Sequence, residues 1–227
     1  PNAEGFLNGQ MPLAATFSPT VVHFEGELQP AGSRGAGIAV ISQSGGVGFS
    51  FFNRGRPKGL VFSFVVTTGN EAGLDALDVL EHLLEEDNTQ VILMFVEGFN
   101  QPQRLRQIAT QAARRRKPLI MAKVGRFEAA SAAAASHTAS LAGSYQAYQA
   151  IFQRYGIISG SDSDHMIDVA AGFAYFSGCL PLGHRVGILT PSGGAGAWLA
   201  DQGEAQGLSV PELERSTRDQ IDVKLPA

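Results

Sequence analysis

One histidine of the chain lies in a context that suits chemistry. His137 sits in an alanine- and serine-rich stretch from Gly125 to Gly143 that holds no large apolar side chain between Phe127 and Leu141. A segment with nothing to bury is held loosely against the body of a protein. Neutral imidazole titrates near pH 6.5, attacks phosphorus readily and leaves again easily, so His137 is a candidate nucleophile. The alternative is an ordinary solvated loop histidine.

A carboxylate could orient such an imidazole, as it does in catalytic triads. Glu97 ends an otherwise wholly apolar stretch in Phe95-Val96-Glu97-Gly98 and is the candidate for this role. Taken by itself, a solvated acid at a strand end is the commoner alternative. No cysteine, histidine or acidic residue stands at ligand spacing from His137, so the sequence predicts no metal site.

Two glycine turns share the pattern Ser-Gly-Gly-x-Gly directly after an apolar stretch. They are Ser44-Gly45-Gly46-Val47-Gly48 and Ser192-Gly193-Gly194-Ala195-Gly196. A turn of this kind after a parallel strand points unpaired N–H groups of the next helix, with roughly half a positive charge, at one spot. Phosphate is the natural occupant, and Ser44 or Ser192 can add a hydroxyl. The alternative is a tight turn in which both serines are plain helix caps.

The elements that would position these residues alternate along the chain. Apolar runs of strand length, uninterrupted enough to be buried on both faces, alternate with segments of helical periodicity. The predicted strands are Ile38–Ser42, Val61–Thr67, Val91–Val96, Leu119–Val124 and Ile157-Ile158. Right-handed crossovers place helices on both faces of such a sheet. The pattern therefore predicts an α/β fold with a flavodoxin-like parallel sheet, whose carboxyl edge is where ligands bind.

The same pattern divides the chain into three parts. Residues 1–34 are predicted to be an irregular or short-stranded lead-in, residues 35–180 the flavodoxin-like domain, and residues 181–227 the start of a second flavodoxin-like unit. The second unit is predicted to hold a strand at Arg185–Thr190, a helix at Ala195–Gln206 and the start of another strand at Leu208. Since no methionine opens the chain and the second unit is too short to complete a sheet, we expect a fragment of a longer protein.

Composition excludes several classes of protein. With 44% hydrophobic and 17% charged residues the chain is ordinary globular material, neither disordered nor fibrous. A net charge of −4 argues against nucleic acid and anionic membranes as partners and favours a small molecule or a protein. No apolar run reaches the roughly 18–20 residues of a membrane helix. Because the single cysteine, Cys179, has no internal disulfide partner, we expect a cytoplasmic protein.

Several of these segments together resemble the NDP-forming acyl-CoA synthetase family, which is related to succinyl-CoA synthetase. The similar segments are Val40–Gly46 (first phosphate-binding turn), Thr68–Glu71 (Gly-Asn loop), Phe95–Gly98 (acidic strand end), Ser136–Ser144 (phosphorylated histidine) and Thr190–Gly196 (second turn). The opening Pro1–Asn8 is similar to the exit of the family's N-terminal CoA-binding domain, so residues 1–34 would be the linker from that domain. Ala139 and Ala3 stand where the family usually has glycine and cysteine.

The resemblance implies an acid-thiol ligase. His137 would accept a phosphoryl group from an acyl phosphate and pass it to ADP, or run the reverse with ATP, coupled to acyl-CoA thioester formation or cleavage. Glu97 would hold the imidazole, and the turns at Ser44–Gly46 and Ser192–Gly194 would cradle the phosphohistidine. Helix ends that face a group charged throughout its transfer would supply preorganised stabilisation.

The resemblance also implies cofactors and partners. These would be CoA, ATP or ADP with Mg²⁺, and phosphate, the first two bound mainly by domains absent from these residues, so the fragment alone would be inactive. A small carboxylic acid or acyl-CoA would be the substrate, a nucleotide-grasp domain or subunit the partner, and the assembly an oligomer. Two alternatives remain open: a CoA- or nucleotide-sensing regulatory module of the kind fused to acetyltransferases, and a scaffold domain that supplies an oligomer interface. Because regulatory relatives often lose the histidine, His137 and Glu97 favour the enzyme.

Overall fold

The computed structural model of the chain describes residues 3–11, 13–22, 36–126 and 144–224. His137 and its neighbours therefore lie outside the described residues. The chain divides into two compact units, Pro1–Gly178 and Cys179–Ala227. Among the described residues, no helix is long and apolar enough to cross a membrane.

The first unit is built on one seven-stranded sheet. Its strands are β1 (Gly5–Asn8), β2 (Leu13–Thr16), β3 (Ile38–Ser42), β4 (Phe62–Thr67), β5 (Val91–Val96), β6 (Leu119–Lys123) and β7 (Ile158–Ser159). They lie side by side in the order β2-β1-β4-β3-β5-β6-β7. Strands β3 to β7 pair in parallel, and every predicted strand of this domain forms with ends that differ by at most one residue. The predicted flavodoxin-like α/β fold is confirmed.

The sheet is mixed, however, because a hairpin adds two antiparallel strands at its edge. β1 pairs antiparallel with both β2 and β4. The Asn8 carboxamide oxygen accepts the N–H groups of Gln10 and Met11 at 3.0 and 3.2 Å, which closes the turn between β1 and β2. The sequence predicted an irregular or short-stranded lead-in here but not the bounds or pairing of these strands, since four-residue strands are too short to show a period; Asn8-Gly9 was the available hairpin signal.

Helices cover both faces of the sheet. They are α1 (Pro19–Val22), α2 (Gly45–Gly55), α3 (Ala76–Glu85), α4 (Pro102–Arg114), α5 (Tyr145–Tyr155) and α6 (Ser163–Tyr175), with a 3-10 turn at Arg56–Lys58. Helices α3, α4 and α5 bury Leu80, Ile108 and Phe152 against one face. Helices α2 and α6 bury Phe49 and Ile167 against the other. This two-sided burial makes the ends of the central strands the accessible edge, as in other parallel sheets.

The part of the second unit that the structure describes, residues 179–224, holds two helices, α7 (Gly193–Ala205) and α8 (Arg215–Asp222). The strands predicted at Arg185–Thr190 and from Leu208 onward do not form as regular strands. Instead, Arg185 and Ser209 make one isolated parallel bridge. Two extended segments that pair only with each other are only marginally stable, because a strand is stabilised by neighbouring strands that share an apolar face with it. Leu189 accordingly remains 91% exposed.

Candidate functional site

The first glycine turn is closed by a hydroxyl bridge at the end of β3. Ser42 Oγ accepts the N–H of Ser44 at 3.1 Å and donates to the carbonyl oxygen of Ser44 at 2.6 Å. Ser44 has extended backbone angles and directly precedes α2, but its side chain makes no capping hydrogen bond. The start of α2 thus keeps N–H donors that the cap residue does not satisfy, which is the feature an anion needs.

The second glycine turn repeats the bridge with one difference. The N–H of Ser192 donates to Thr190 Oγ1 at 3.1 Å, and Thr190 Oγ1 donates back to the Ser192 carbonyl oxygen at 3.5 Å. Here, however, Ser192 Oγ accepts the N–H of Ala195 at 3.3 Å and so caps α7. The two turns share a backbone design, while only the second serine acts as the plain cap considered from the sequence.

Four glycines of the two motifs fall into two groups, according to what a side chain at each position would contact. A Cβ at Gly48 would lie 2.8 Å from Thr67 Cγ2 and 3.0 Å from Ser42 Cβ, so this glycine lets α2 pack closely against the strand ends. A Cβ at Gly46 would meet only a carboxylate oxygen of Glu4, at 3.5 Å, and one at Gly193 or Gly194 would meet nothing within 4 Å. Packing among the described residues does not require glycine at these last three positions. The open space beside them leaves their backbone accessible to another group.

Glu97 is brought next to the first turn by Gln43, a buried residue with 3% exposure. The Gln43 amide oxygen accepts the N–H groups of Glu97 and Gly98, and its Nε2 donates to the Gly98 carbonyl oxygen at 2.7 Å. One side chain therefore satisfies three backbone groups of the loop after β5. Gln43 was missed from the sequence; its signal is a long polar side chain between an apolar strand and a glycine turn, where a buried amide must find partners.

The Gly-Asn loop after β4 is tied to the same glutamine. Glu71 has a positive φ of 56°, and its Oε1 accepts Thr68 Oγ1 and the N–H of Ala76, each at 2.9 Å. Burial raises the pKa of Glu71, and a hydrogen bond with Gln43 opposes that shift. The ends of β3 and β5 are linked through the Gln43 amide, and the end of β4 is linked to β3 by the bond from the Thr68 N–H to the Ser42 carbonyl oxygen at 2.8 Å.

The carboxylate of Glu97 is incompletely satisfied. Its Oε2 is buried without a hydrogen-bond partner among the described residues. Leaving a buried acceptor unpaired costs about 1–3 kcal/mol, more when it is charged, so the arrangement calls for a donor. A lysine of opposite charge, Lys123, lies at the end of β6 in register with Val96, and the charge of Glu97 acts on it.

The described residues therefore join some predicted site elements and leave others apart. Ser44–Gly46 and Glu97 meet at the carboxyl edge of the sheet through Gln43. Ser192–Gly194 belongs to the other compact unit, and His137 lies outside the described residues. Within the described ranges, no group of three or more histidine, cysteine, aspartate or glutamate side chains is placed to hold a metal ion.

Comparison with known proteins bears on these observations. The family described as the succinyl-CoA ligase like flavodoxin domain matches residues 35–173. The α subunit of ADP-forming acetate–CoA ligase II from Pyrococcus furiosus is 33% identical over 226 residues, covering 100% of this chain and 46% of that protein. The ADP-forming acetate–CoA ligase I from Archaeoglobus fulgidus is 36% identical over 231 residues, covering 100% of this chain and 31% of that protein.

Solved structures agree with these relatives. The dinucleotide-forming acetyl-coenzyme A synthetase 1 of Ca. Korarchaeum cryptofilum, in complex with phosphate and ADP, superposes with a TM-score of 0.83 at 30% identity, covering 100% of this chain and 46% of that one. The chain thus spans less than half the length of these relatives. The chain therefore belongs to the NDP-forming acyl-CoA synthetase family, and its residues 35–173 match that family's succinyl-CoA ligase like flavodoxin domain.

Proposed function

We propose that this chain is the phosphoryl-relay part of an ADP-forming acyl-CoA synthetase acting on a small carboxylic acid. The proposal is carried by two features that lie together at one sheet edge. One is a glycine turn in which packing among the described residues does not explain the exposed Gly46. The other is the carboxylate of Glu97, which has a buried oxygen without a hydrogen-bond partner among the described residues. The first arrangement suits an anion and the second suits a hydrogen-bond donor. Relatives named as ADP-forming acetate–CoA ligases, and a neighbour in complex with phosphate and ADP, support it.

The relay consists of two balanced transfers. A ring nitrogen of His137 attacks the phosphorus of an acyl phosphate, the P–O bond to the acyl oxygen breaks, and the carboxylate leaves. A β-phosphate oxygen of ADP then attacks the phosphohistidine, the N–P bond breaks, and ATP leaves with neutral imidazole restored. The acyl phosphate itself arises when inorganic phosphate displaces CoA from the acyl-CoA.

Each residue of the proposed site has one task in these steps. The Glu97 carboxylate accepts a hydrogen bond from the ring N–H of His137, which directs the other nitrogen at phosphorus. The start of α2 at Ser44–Gly46 and the start of α7 at Ser192–Gly194 stabilise the phosphoryl oxygens with backbone N–H groups. Gln43 holds Glu97 beside the first of these helix starts.

The remaining parts of the reaction belong to other domains. CoA and the nucleotide with Mg²⁺ would be bound mainly outside this chain, the nucleotide by a grasp domain or partner subunit in a cytoplasmic oligomer. Mg²⁺ supplies charge neutralisation on the nucleotide phosphates when bound. We also propose that residues 181–227 begin a second flavodoxin-like domain, because its Thr190–Ser192 bridge repeats the Ser42–Ser44 bridge.

The test is formation of phosphohistidine in the intact protein with its nucleotide-binding domain or subunit. Incubation with ATP labelled at the γ-phosphate, with Mg²⁺, is expected to give an acid-labile, alkali-stable label that disappears in His137→Ala. His82→Ala is the matched control, since His82 is an exposed residue of α3 whose side chain is 71% accessible. Absence of label in the unaltered protein would favour the regulatory or scaffold alternatives.

A further inference from the structure

Two lysines of the first unit are almost completely buried, and they differ in how they are satisfied. Lys117 is 7% exposed and Lys123 is 6% exposed. The Lys117 ammonium donates to three carbonyl oxygens at the end of α3, those of Leu83, Leu84 and Glu86, at 3.4, 2.8 and 2.6 Å. It is a complete helix cap, because cations and donors are favourable at a helix C-terminus.

Lys123 has a poorer set of partners at the opposite end of β6. Its Nζ donates to the carbonyl oxygen of Val124 and lies 5.1 Å from the centre of the Tyr148 ring. Burial lowers the pKa of Lys123, and the nearby charge of Glu97 opposes that shift. An underpartnered buried ammonium costs stability that an apolar side chain of the same length would not. Such a residue at the ligand-binding edge of a sheet is typical of a functional position.

The surroundings of Lys123 lead back to Glu97 by two routes. Lys123 is in register with Val96, so the two strand ends deliver the lysine and the glutamate to the same edge. Tyr148, whose ring lies beside the lysine, accepts the N–H of Phe99 through its hydroxyl at 3.2 Å, in the loop that Glu97 begins. A second contact, Arg126 over the Tyr145 ring at 6.0 Å, also joins the end of β6 to α5.

We propose that Lys123 is a positioning residue of this site, whose buried positive charge acts on the Glu97 carboxylate and whose contact with Tyr148 fixes the backbone after β5. The inference rests on the proposed phosphoryl relay and deepens it. Lys123 does not touch the transferred group. It keeps the Glu97 carboxylate charged as an acceptor, and the buried Oε2 atom, which has no partner among the described residues, would accept the hydrogen bond of the relay histidine.

The first test is independent of phosphoryl transfer. The titration of Lys123 is followed in the intact protein by NMR of ¹³Cε-lysine, with Lys123→Arg to assign its signal. Removing the opposing charge in Glu97→Gln is expected to lower the pKa of Lys123 further. Lys117 is the control in the same spectrum, because the acidic residues acting on it are Asp87, Glu85 and Glu86. An unchanged Lys123 titration in Glu97→Gln would overturn the inference, whether or not the protein forms phosphohistidine.

The second test measures the rate of label incorporation from γ-labelled ATP. Lys123→Met is expected to slow it by about 10-fold or more, with Lys123→Arg falling between Lys123→Met and the unaltered protein. A role in packing alone would give the reverse order, since methionine fits an apolar site better than arginine. Lys117→Met is expected to lower Tm while leaving the rate per folded molecule unchanged.

The two tests separate the two ideas. If the unaltered protein takes up no label, the relay fails, and the lysine titration still decides whether Lys123 and Glu97 are coupled. If the relay operates but Lys123→Met labels at the normal rate, the positioning role is overturned.

Discussion

Gln43 and Glu97 lie 54 positions apart in sequence and are joined by a hydrogen bond from the Glu97 N–H to the Gln43 amide oxygen. The bond connects the residue before the first glycine turn with the candidate acid of the site. The position of Glu97 relative to α2 is thus set by a side chain and not only by the sheet.

Replacing this amide with a side chain of similar size is expected to affect both stability and function. Gln43→Leu leaves the N–H groups of Glu97 and Gly98 and the Gly98 carbonyl without partners in a buried loop. We expect a loss of about 1–3 kcal/mol in the free energy of unfolding in urea, together with slower phosphohistidine formation. Gln90→Leu is the control, because it removes one exposed bond to the Asp87 carbonyl oxygen. Equal effects of the two substitutions would contradict this role.

Alanine substitutions at two glycines of the first turn are expected to distinguish a role in anion binding from a role in packing. Gly46→Ala places its methyl group in open space near Glu4, so stability should hold or rise by up to about 0.5–1 kcal/mol while phosphoryl transfer falls. Gly48→Ala drives its methyl group against Thr67 and Ser42 and should lower stability by about 1–3 kcal/mol. Thermal unfolding and label incorporation are measured on both. A Gly46→Ala protein with normal transfer would count against an anion at this turn.

The two serines that begin the turns are expected to differ in the same manner. Ser192 caps α7 through the Ala195 N–H, so Ser192→Ala should weaken this helix by about 0.5–2 kcal/mol. Ser44 makes no capping bond, so Ser44→Ala should leave the protection of α2 unchanged. Amide hydrogen exchange of the two helices reads out each effect. Loss of protection in α2 of Ser44→Ala would show that the serine caps after all.

An ion cluster between α3 and α4 is expected to make stability depend on pH. Arg104 contacts Asp75, Asp78 and Glu81 at 3.3, 2.8 and 3.0 Å. The N–H of Asp75 and then the guanidinium of Arg104 hold the pKa of Asp78 below its usual 3.8. A lowered pKa contributes stability above 3.8 that is lost as the pH falls through the folded value.

Arg104→Met should therefore lower Tm by a few °C near neutral pH and by progressively less in acid. Arg106→Met, on the exposed side of α4, is the control and should leave Tm unchanged at every pH. A Tm deficit of Arg104→Met that stayed constant down to acid pH would show that lost packing, not charge, explains the effect.

The fold was predictable where one physical signal was strong. Strands β3 to β6 are continuous apolar runs because both faces are covered, and parallel pairing then places Ser44 and Glu97 at one edge. The bounds and pairing of β1 and β2, in what was predicted as an irregular or short-stranded lead-in, were not predictable because only Leu7 of β1 is fully buried, which leaves no pattern to detect. The predicted strand at Arg185–Thr190 has the composition of a buried strand, but within the described residues it pairs with another segment only at the Arg185–Ser209 bridge, and a regular strand needs more extensive pairing.

The site was predictable only in its parts that are local in sequence. A glycine turn and an acid after a strand are visible in a few consecutive residues. Gln43 and Lys123 act through groups that are distant along the chain. Gln43 bonds Glu97, 54 positions away, and Lys123 of β6 contacts the ring of Tyr148 on helix α5. Their roles depend on which strands become neighbours, and no local pattern encodes that. The roles of His137, Ser192–Gly194 and Glu97 in transfer stay predictions.

The most direct measurement is the location of the phosphoryl group in the intact protein after incubation with γ-labelled ATP. Peptide mapping at alkaline pH should find a single phosphoramidate on His137, at normal level in His82→Ala and much reduced in Glu97→Gln. A label carried by any other residue, or one that persists in His137→Ala, would contradict the relay.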